Sequence, residues 1–115
     1  AAAWPSAPRP VLADDLLPER ALDGDPLART LLIEQVYRPL ERAGPVLLDT
    51  LVAFLEHTSS LEAAARLLFV HPNTVRYRLR RVTSVCGVAP TDMRGAYTLR
   101  VALTLGRLDG PTPTL

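Results

Sequence analysis

The stretch from Ser59 to Val82 constrains the fold of this chain more than any other. It reads S-S-L-E-A-A-A-R-L-L-F-V-H-P-N-T-V-R-Y-R-L-R-R-V. Two short helical patterns meet at a three-residue break, Phe69-Val70-His71. Pro72 suits the first position of a new helix, where a missing N–H costs nothing, and this leaves His71 as N-cap. Helices joined so tightly must cross, and Ala63-Ala64-Ala65 in the first is small enough for close approach. From Ala63 to Thr91 the chain holds five Arg and no Asp or Glu, and Arg76, Arg78, Arg80 and Arg81 all lie on the second helix.

Winding that second helix at about 100° per residue separates two faces. Val75, Leu79, Val82 and Cys86 form an apolar stripe that belongs in a core. Asn73, Tyr77 and Arg80 lie opposite, with Thr74 and Arg81 beside them and Arg76 and Arg78 at the margins. An amide, hydroxyls and guanidinium groups on one face are the groups that contact base edges and phosphates. A charge run is also an ordinary solvated face. Here, however, the arginines have no acidic neighbours in sequence, and the break has the length of a helix-turn-helix.

The formal net charge of +1 hides this arrangement. Residues 1–62 carry five Arg and ten acids, residues 63–91 five Arg and no acid, and the last 24 residues three Arg and two acids. Charge distribution, not total charge, therefore points to nucleic acid. All 13 cations are Arg, which suits bidentate phosphate and guanine contacts and equally fits a GC-rich codon usage. The single cysteine, Cys86, permits no internal disulfide or cysteine zinc cluster and reads as a small buried hydrophobe.

The rest of the chain is also helical in pattern. Residues 1–10, with three prolines and Trp4, should be extended. Val11 to Leu22 reads as a short helix or two turns, interrupted at Pro18. Asp25 caps a helix opened by Pro26, with Leu32, Ile33, Val36 and Tyr37 on one face and an end or kink near Pro39. Gly44-Pro45 is the clearest break in the first half. Leu47, Leu48, Leu51, Phe54 and Leu55 mark a further helix that stops at His57-Thr58-Ser59. Ser59 and Glu62 then form a capping box for the alanine-rich helix. The second helix of the pair should run to about Ser84 and end before Gly87. Thr91 or Asp92 caps a last helix to about Leu108. On it, Tyr97, Val101, Leu105 and Leu108 form one apolar row and Ala96, Leu99 and Leu103 another; one should face the helix pair, the other a partner chain or the helix at Pro26 to Leu40.

The segment His71 to Val82, H-P-N-T-V-R-Y-R-L-R-R-V, resembles the H-x-N-T-V/L-x-Y-R-L signature of the PucR/CdaR family of bacterial transcription regulators. Leu48-x-Thr50-Leu51-x-x-Phe54-Leu55 and Leu99-x-x-Ala102-Leu103 match the same domain, so the resemblance covers about residues 46–108. It implies an all-α small helical bundle containing a Fis-like helix-turn-helix, with an additional N-terminal helical segment. It also implies regulatory domains, absent from this chain, that sense a small-molecule effector. Residues 1–45 are then the tail of an upstream regulatory region, 46–108 the DNA-binding domain and 109–115 a loose tail. Phe69 stands where many helix-turn-helix proteins place a left-handed glycine, which a bulky residue disfavours, so a different turn geometry is expected.

The expected partners are double-stranded DNA and a second copy of the chain, since two reading helices about one DNA turn apart read a two-fold site. Arg76 and Arg80 are the first candidates for phosphate. Asn73 and Thr74 either read bases or cap the helix start, Tyr77 either bonds phosphate or packs on the first helix, and Arg81 completes the face. His71 is an N-cap with phosphate as its other use. Arg78, close to the apolar stripe, is expected to pair internally with Glu62 or Asp92. The alternative function is a helical interaction module whose basic face meets an acidic partner. No nucleophile–base set, metal-ligand spacing or glycine-rich phosphate loop is present, so neither an enzyme nor a cofactor or metal site is expected. No apolar run has membrane-span length. The opening Ala-Ala-Ala-Trp has neither an initiator Met nor a signal-peptide layout, and a fragment of a longer cytoplasmic protein is expected.

Overall fold

The computed structural model describes residues 16–56 and 60–111. All regular elements among them are helical: α1 Leu17–Leu22, α2 Pro26–Leu32, a π-helical turn Ile33–Tyr37, α3 Arg38–Arg42, α4 Pro45–Glu56, α5 Leu61–Leu68, α6 Pro72–Cys86 and α7 Met93–Asp109. The extended start, the residues from Val11 to Asp15, the break at His57-Thr58-Ser59 and the last four residues of the tail lie outside the described residues.

Two prolines act differently from the sequence expectation. Pro18 opens α1 instead of interrupting a helix, because it falls in the first turn, where no intrahelical donor is needed. Pro39 does not end the helical path begun at Pro26; a π-helical turn stands just before it. Its missing N–H is absorbed by a widened turn, in which the Arg38 N–H reaches back to Ile33 O, and the chain continues helically to Arg42. Asp25 caps α2 as expected, its Oδ1 accepting from Leu27 N at 3.0 Å and Ala28 N at 3.3 Å.

One continuous core joins α1 to α7. Leu17, Leu32, Val36 and Leu40 from the first helices, Leu51 and Phe54 from α4, Val75 and Val82 from α6, and Leu99 from α7 are all buried in it. The helix pair rests on α4, which packs against both α5 and α6, while α7 packs on α1, α2 and the π-helical turn. Both apolar rows of α7 are thereby used inside the chain, with Leu108 the exception at 71% exposure. Gly106 makes this packing possible: a Cβ there would stand 2.2 Å from Tyr37 Cγ, so the tyrosine ring lies directly on the glycine.

Arg38 closes the far end. Only 5% exposed, it donates through Nη1 to Glu41 Oε1 at 3.0 Å and Gly110 O at 2.9 Å, and through Nη2 to Asp109 Oδ2. Burial works to lower its pKa, but the hydrogen bonds and charges of Glu41 and Asp109 outweigh it and raise the pKa. The start of α7 is tied to α1 by a two-pronged bond from Arg94 to Glu19. That bond holds the Glu19 carboxyl below its usual pKa.

Candidate nucleic-acid interface

The helix pair is α5 and α6. The first is capped by Ser60, not Ser59: Ser60 Oγ accepts from Ala63 N at 3.1 Å. With the cap one residue later, Ala63 occupies the third helical position. Glu62 is then one residue too early to complete a capping box, although it still sits favourably in the first turn. The buried Ala64 and Ala65 let α6 cross closely, as their size demands.

The turn between the helices contradicts the expectation drawn from Phe69. It is left-handed, with Phe69 at φ 60 and ψ 45. Phe69 N bonds Arg66 O at 3.3 Å and Val70 N bonds Ala65 O at 3.0 Å, the paired bonds of a Schellman ending. These bonds satisfy two terminal carbonyls and tuck Val70 against the core. They offset the roughly 1–2 kcal/mol that a side-chain-bearing residue loses in this conformation. The phenyl ring itself is 93% exposed and gains little from burial.

His71 follows in an extended conformation and caps α6, with its Nδ1 accepting from Asn73 N at 2.9 Å. A neutral ring that accepts at Nδ1 carries its proton on Nε2, which leaves an N–H donor on this exposed residue. α6 ends before Gly87 as expected, at Cys86, because Gly87 supplies the left-handed residue that stops it, at φ 80.

The two faces of α6 are as the periodicity predicts. Val75, Leu79, Val82 and Cys86 are buried; Asn73, Arg76, Tyr77, Arg80 and Arg81 are exposed, and Thr74 is half-buried. Tyr77 is 59% exposed, so its ring is not spent on packing. Arg76 Nη1 donates to Asn73 Oδ1, which joins two of the candidate residues into one polar unit in the first turns. Arg78 points elsewhere. Its Nη1 donates to Thr50 Oγ1 on α4 at 3.4 Å, so its internal partner is a buried hydroxyl and not Glu62 or Asp92.

Among the described residues, ion pairs are made by Arg20 with Asp25, by Arg38 with Glu34, Glu41 and Asp109, and by Arg94 with Glu19. Asp25 is held below its usual pKa by its bond from Ala28 N and by Arg20. None of the four arginines of α6 makes an ion pair among the described residues. The charges of the three exposed ones, Arg76, Arg80 and Arg81, are left to whatever meets this face. Sequence reasoning did not single out Thr50 as the seat of Arg78, nor Arg100, whose Nη2 donates to Leu55 O at 3.0 Å.

A tight helix pair, its second member anchored by one face and cationic on the other, is the form of a helix-turn-helix DNA-binding domain of a transcription regulator. The chain belongs to the family of the PucR C-terminal helix-turn-helix domain, whose model matches residues 47–105. It is 59% identical over 112 residues to an uncharacterised protein of Mycobacterium tuberculosis, a match covering 97% of this chain and 27% of that protein. It is 29% identical over 63 residues to the DNA-binding transcriptional activator AdeR of Bacillus subtilis, covering 55% of this chain and 15% of AdeR. It is similar in structure to a regulator of polyketide synthase expression from Bifidobacterium adolescentis, with a TM-score of 0.81 at 48% identity, over 86% of this chain and 42% of that one. The chain thus spans about a quarter of the length of the mycobacterial relative. Among the described residues no helix is long and apolar enough to cross a membrane.

Proposed function

We propose that α6 enters the major groove of an operator, reads it sequence-specifically with Asn73 and Thr74 at its N-terminal end, and clasps phosphates with His71, Arg76, Tyr77, Arg80 and Arg81. The observation that carries this reading is the exposed cationic face, without an ion pair among the described residues, of a helix whose opposite face is buried. Amides and hydroxyls in the first turn are placed to reach base edges, while guanidinium groups further along follow the backbone. The protein acts as a homodimer, since a single helix of this length contacts too few base pairs to specify a site. Residues 1–45 are the end of an upstream region through which a small-molecule effector, sensed elsewhere in the longer protein, controls the reading helix.

Selection of duplexes from a random pool by the chain, fused to a dimerising segment, tests this reading. A two-fold motif with half-sites about one helical turn apart is expected. Asn73→Ala should then relax preference at one base position in each half-site, whereas Arg80→Ala should weaken binding to every sequence and lower the salt slope by about one. Failure of the dimerised chain to bind any duplex at low salt would overturn the reading in favour of an acidic protein partner.

A further inference from the structure

The cationic face does not stop at the edge of α6. Arg76, Arg80 and Thr83 line one groove together with Leu61, Pro90 and Thr91. Pro90 and Thr91 also line the next depression, with Met93, Ala96 and Arg100 at the start of α7. Arg100 in turn borders a third groove, between α4 and α7, with Thr104, Arg107, Val52, Leu55 and Glu56. Three depressions that share lining residues form one track, from the reading helix across the 90–92 loop and along α7.

The track combines apolar walls with guanidinium and hydroxyl groups. Arg100, Thr104 and Arg107 are all exposed, and their spacing puts them on one side of α7. Neither Arg100 nor Arg107 makes an ion pair among the described residues, although Arg94 on the same helix does. Two acids border the track. Asp92 is engaged as the cap of α7, where its Oδ2 accepts from Gly95 N at 2.9 Å, and Glu56 lies on the wall of the last groove. Arg100 is also positioned, because its bond to Leu55 O holds the guanidinium at the mouth between α4 and α7.

We infer that Arg100 and Arg107 form a second phosphate-binding edge, which engages the backbone of the same DNA duplex on the flank of the site covered by α6. This inference rests on the reading of α6 as the DNA-contacting helix. The occupant is duplex backbone and not a separate partner because the track is continuous with α6 and, like α6, sets hydroxyl groups beside guanidinium groups that make no ion pair among the described residues. Contacts of this kind add affinity without base preference.

The test is salt-dependent binding of the 115-residue chain to two duplexes, measured by fluorescence anisotropy. One duplex carries only the selected site; the other adds a helical turn of flanking sequence on each side. With the longer duplex, Arg107→Ala should lower the salt slope by about 0.9, equivalent to roughly a threefold smaller loss of affinity across a fourfold rise in salt. With the short duplex it should change nothing, and Arg107→Lys should restore the parent slope on the long one. Arg100→Ala should behave alike, and Arg107, which makes no such side-chain bond among the described residues, guards against an effect of Arg100 on folding. Equal slopes for parent, Arg100→Ala and Arg107→Ala on the long duplex, with Arg80→Ala still lowering it, would overturn the second edge and leave the reading of α6 intact. If Arg80→Ala were also without effect, both would fall.

Discussion

Arg78 Nη1 donates to the hydroxyl of Thr50 at 3.4 Å, across the contact between α6 and α4. Thr50 is fully buried and donates its own proton to Val46 O at 2.8 Å, so its lone pairs are free to accept. This bond sets Arg78 apart from the other three arginines of α6, which are exposed. It orients the helix on its support, and the outward residues depend on that orientation.

Thr50→Val removes the acceptor while keeping the branched shape. With the bond from Arg78 the variant also loses the bond from the Thr50 hydroxyl to Val46 O, and the two together should cost about 1–2 kcal/mol, read as a lower urea midpoint at unchanged slope. Arg78→Ala, which removes the first bond alone, should cost about 1 kcal/mol and leave the salt dependence of DNA binding unchanged. A drop in the salt slope for Arg78→Ala, at parental stability, would instead place Arg78 on a phosphate.

Phe69 gives a prediction of the opposite sign. Its left-handed conformation costs the chain roughly 1–2 kcal/mol, and its ring at 93% exposure returns little of that. Phe69→Gly should therefore raise stability by about 1 kcal/mol, the relief being partly offset by the greater freedom of glycine in the unfolded chain. Phe69→Val should lower it, because a branched Cβ fits this conformation worse than phenylalanine does. Thermal melts of the three proteins decide the matter; a less stable glycine variant would mean that the ring has a packing role.

The pH dependence of stability has a definite sign at the α1–α7 contact. The hydrogen bonds from Arg94 hold the Glu19 carboxyl below its ordinary value of 4.5 in the folded chain. A depressed carboxylate contributes stability in full above its unfolded pKa and loses it as pH falls through the folded one. Stability should therefore decline on acidification below the ordinary glutamate range. Glu19→Gln should start lower at neutral pH and show a shallower decline, while an acid limb of parental steepness in that variant would assign the decline to other carboxylates.

These relationships differ in how far the sequence exposed them. The buried stripe Val75, Leu79, Val82 follows from helical period alone, because a single face must be withdrawn from water wherever the helix docks. The caps at Asp25 and His71 follow from local chemistry. The cap at Ser60 did not, since two adjacent serines offer the same oxygen and packing chooses between them. Phe69 misleads because local preference opposes its conformation, while two backbone bonds and the docking of Val70 impose it. Thr50 and Arg78 are 28 residues apart, and no periodicity reports a bond that depends on how two helices cross. The row Arg100, Thr104, Arg107 is visible as a spacing, but its continuity with α6 exists only once α7 has folded past the 90–92 loop.

That loop is held by Gly95. Taken as an isolated helix position, Gly95→Ala should stabilise by about 1 kcal/mol, since alanine is the better helix former. The surroundings reverse the sign. A Cβ at Gly95 would stand 2.0 Å from the carbonyl oxygen of Ala89 and 3.0 Å from its carbon, and a backbone carbonyl cannot swing aside as a long side chain can. The same carbonyl accepts from Asp92 N at 3.3 Å, and Asp92 in turn caps α7 through Gly95 N, so any shift loosens the start of the helix. Overpacking of this kind typically costs about 1–3 kcal/mol, which set against the propensity gain leaves a net loss of up to about 2 kcal/mol for Gly95→Ala. Chemical denaturation measures it directly. Because Thr91 lies between the α6 groove and Arg100, the same variant should also weaken binding to a long duplex more than to a short one. Parental stability in Gly95→Ala would show that the loop can retreat from α7 without cost.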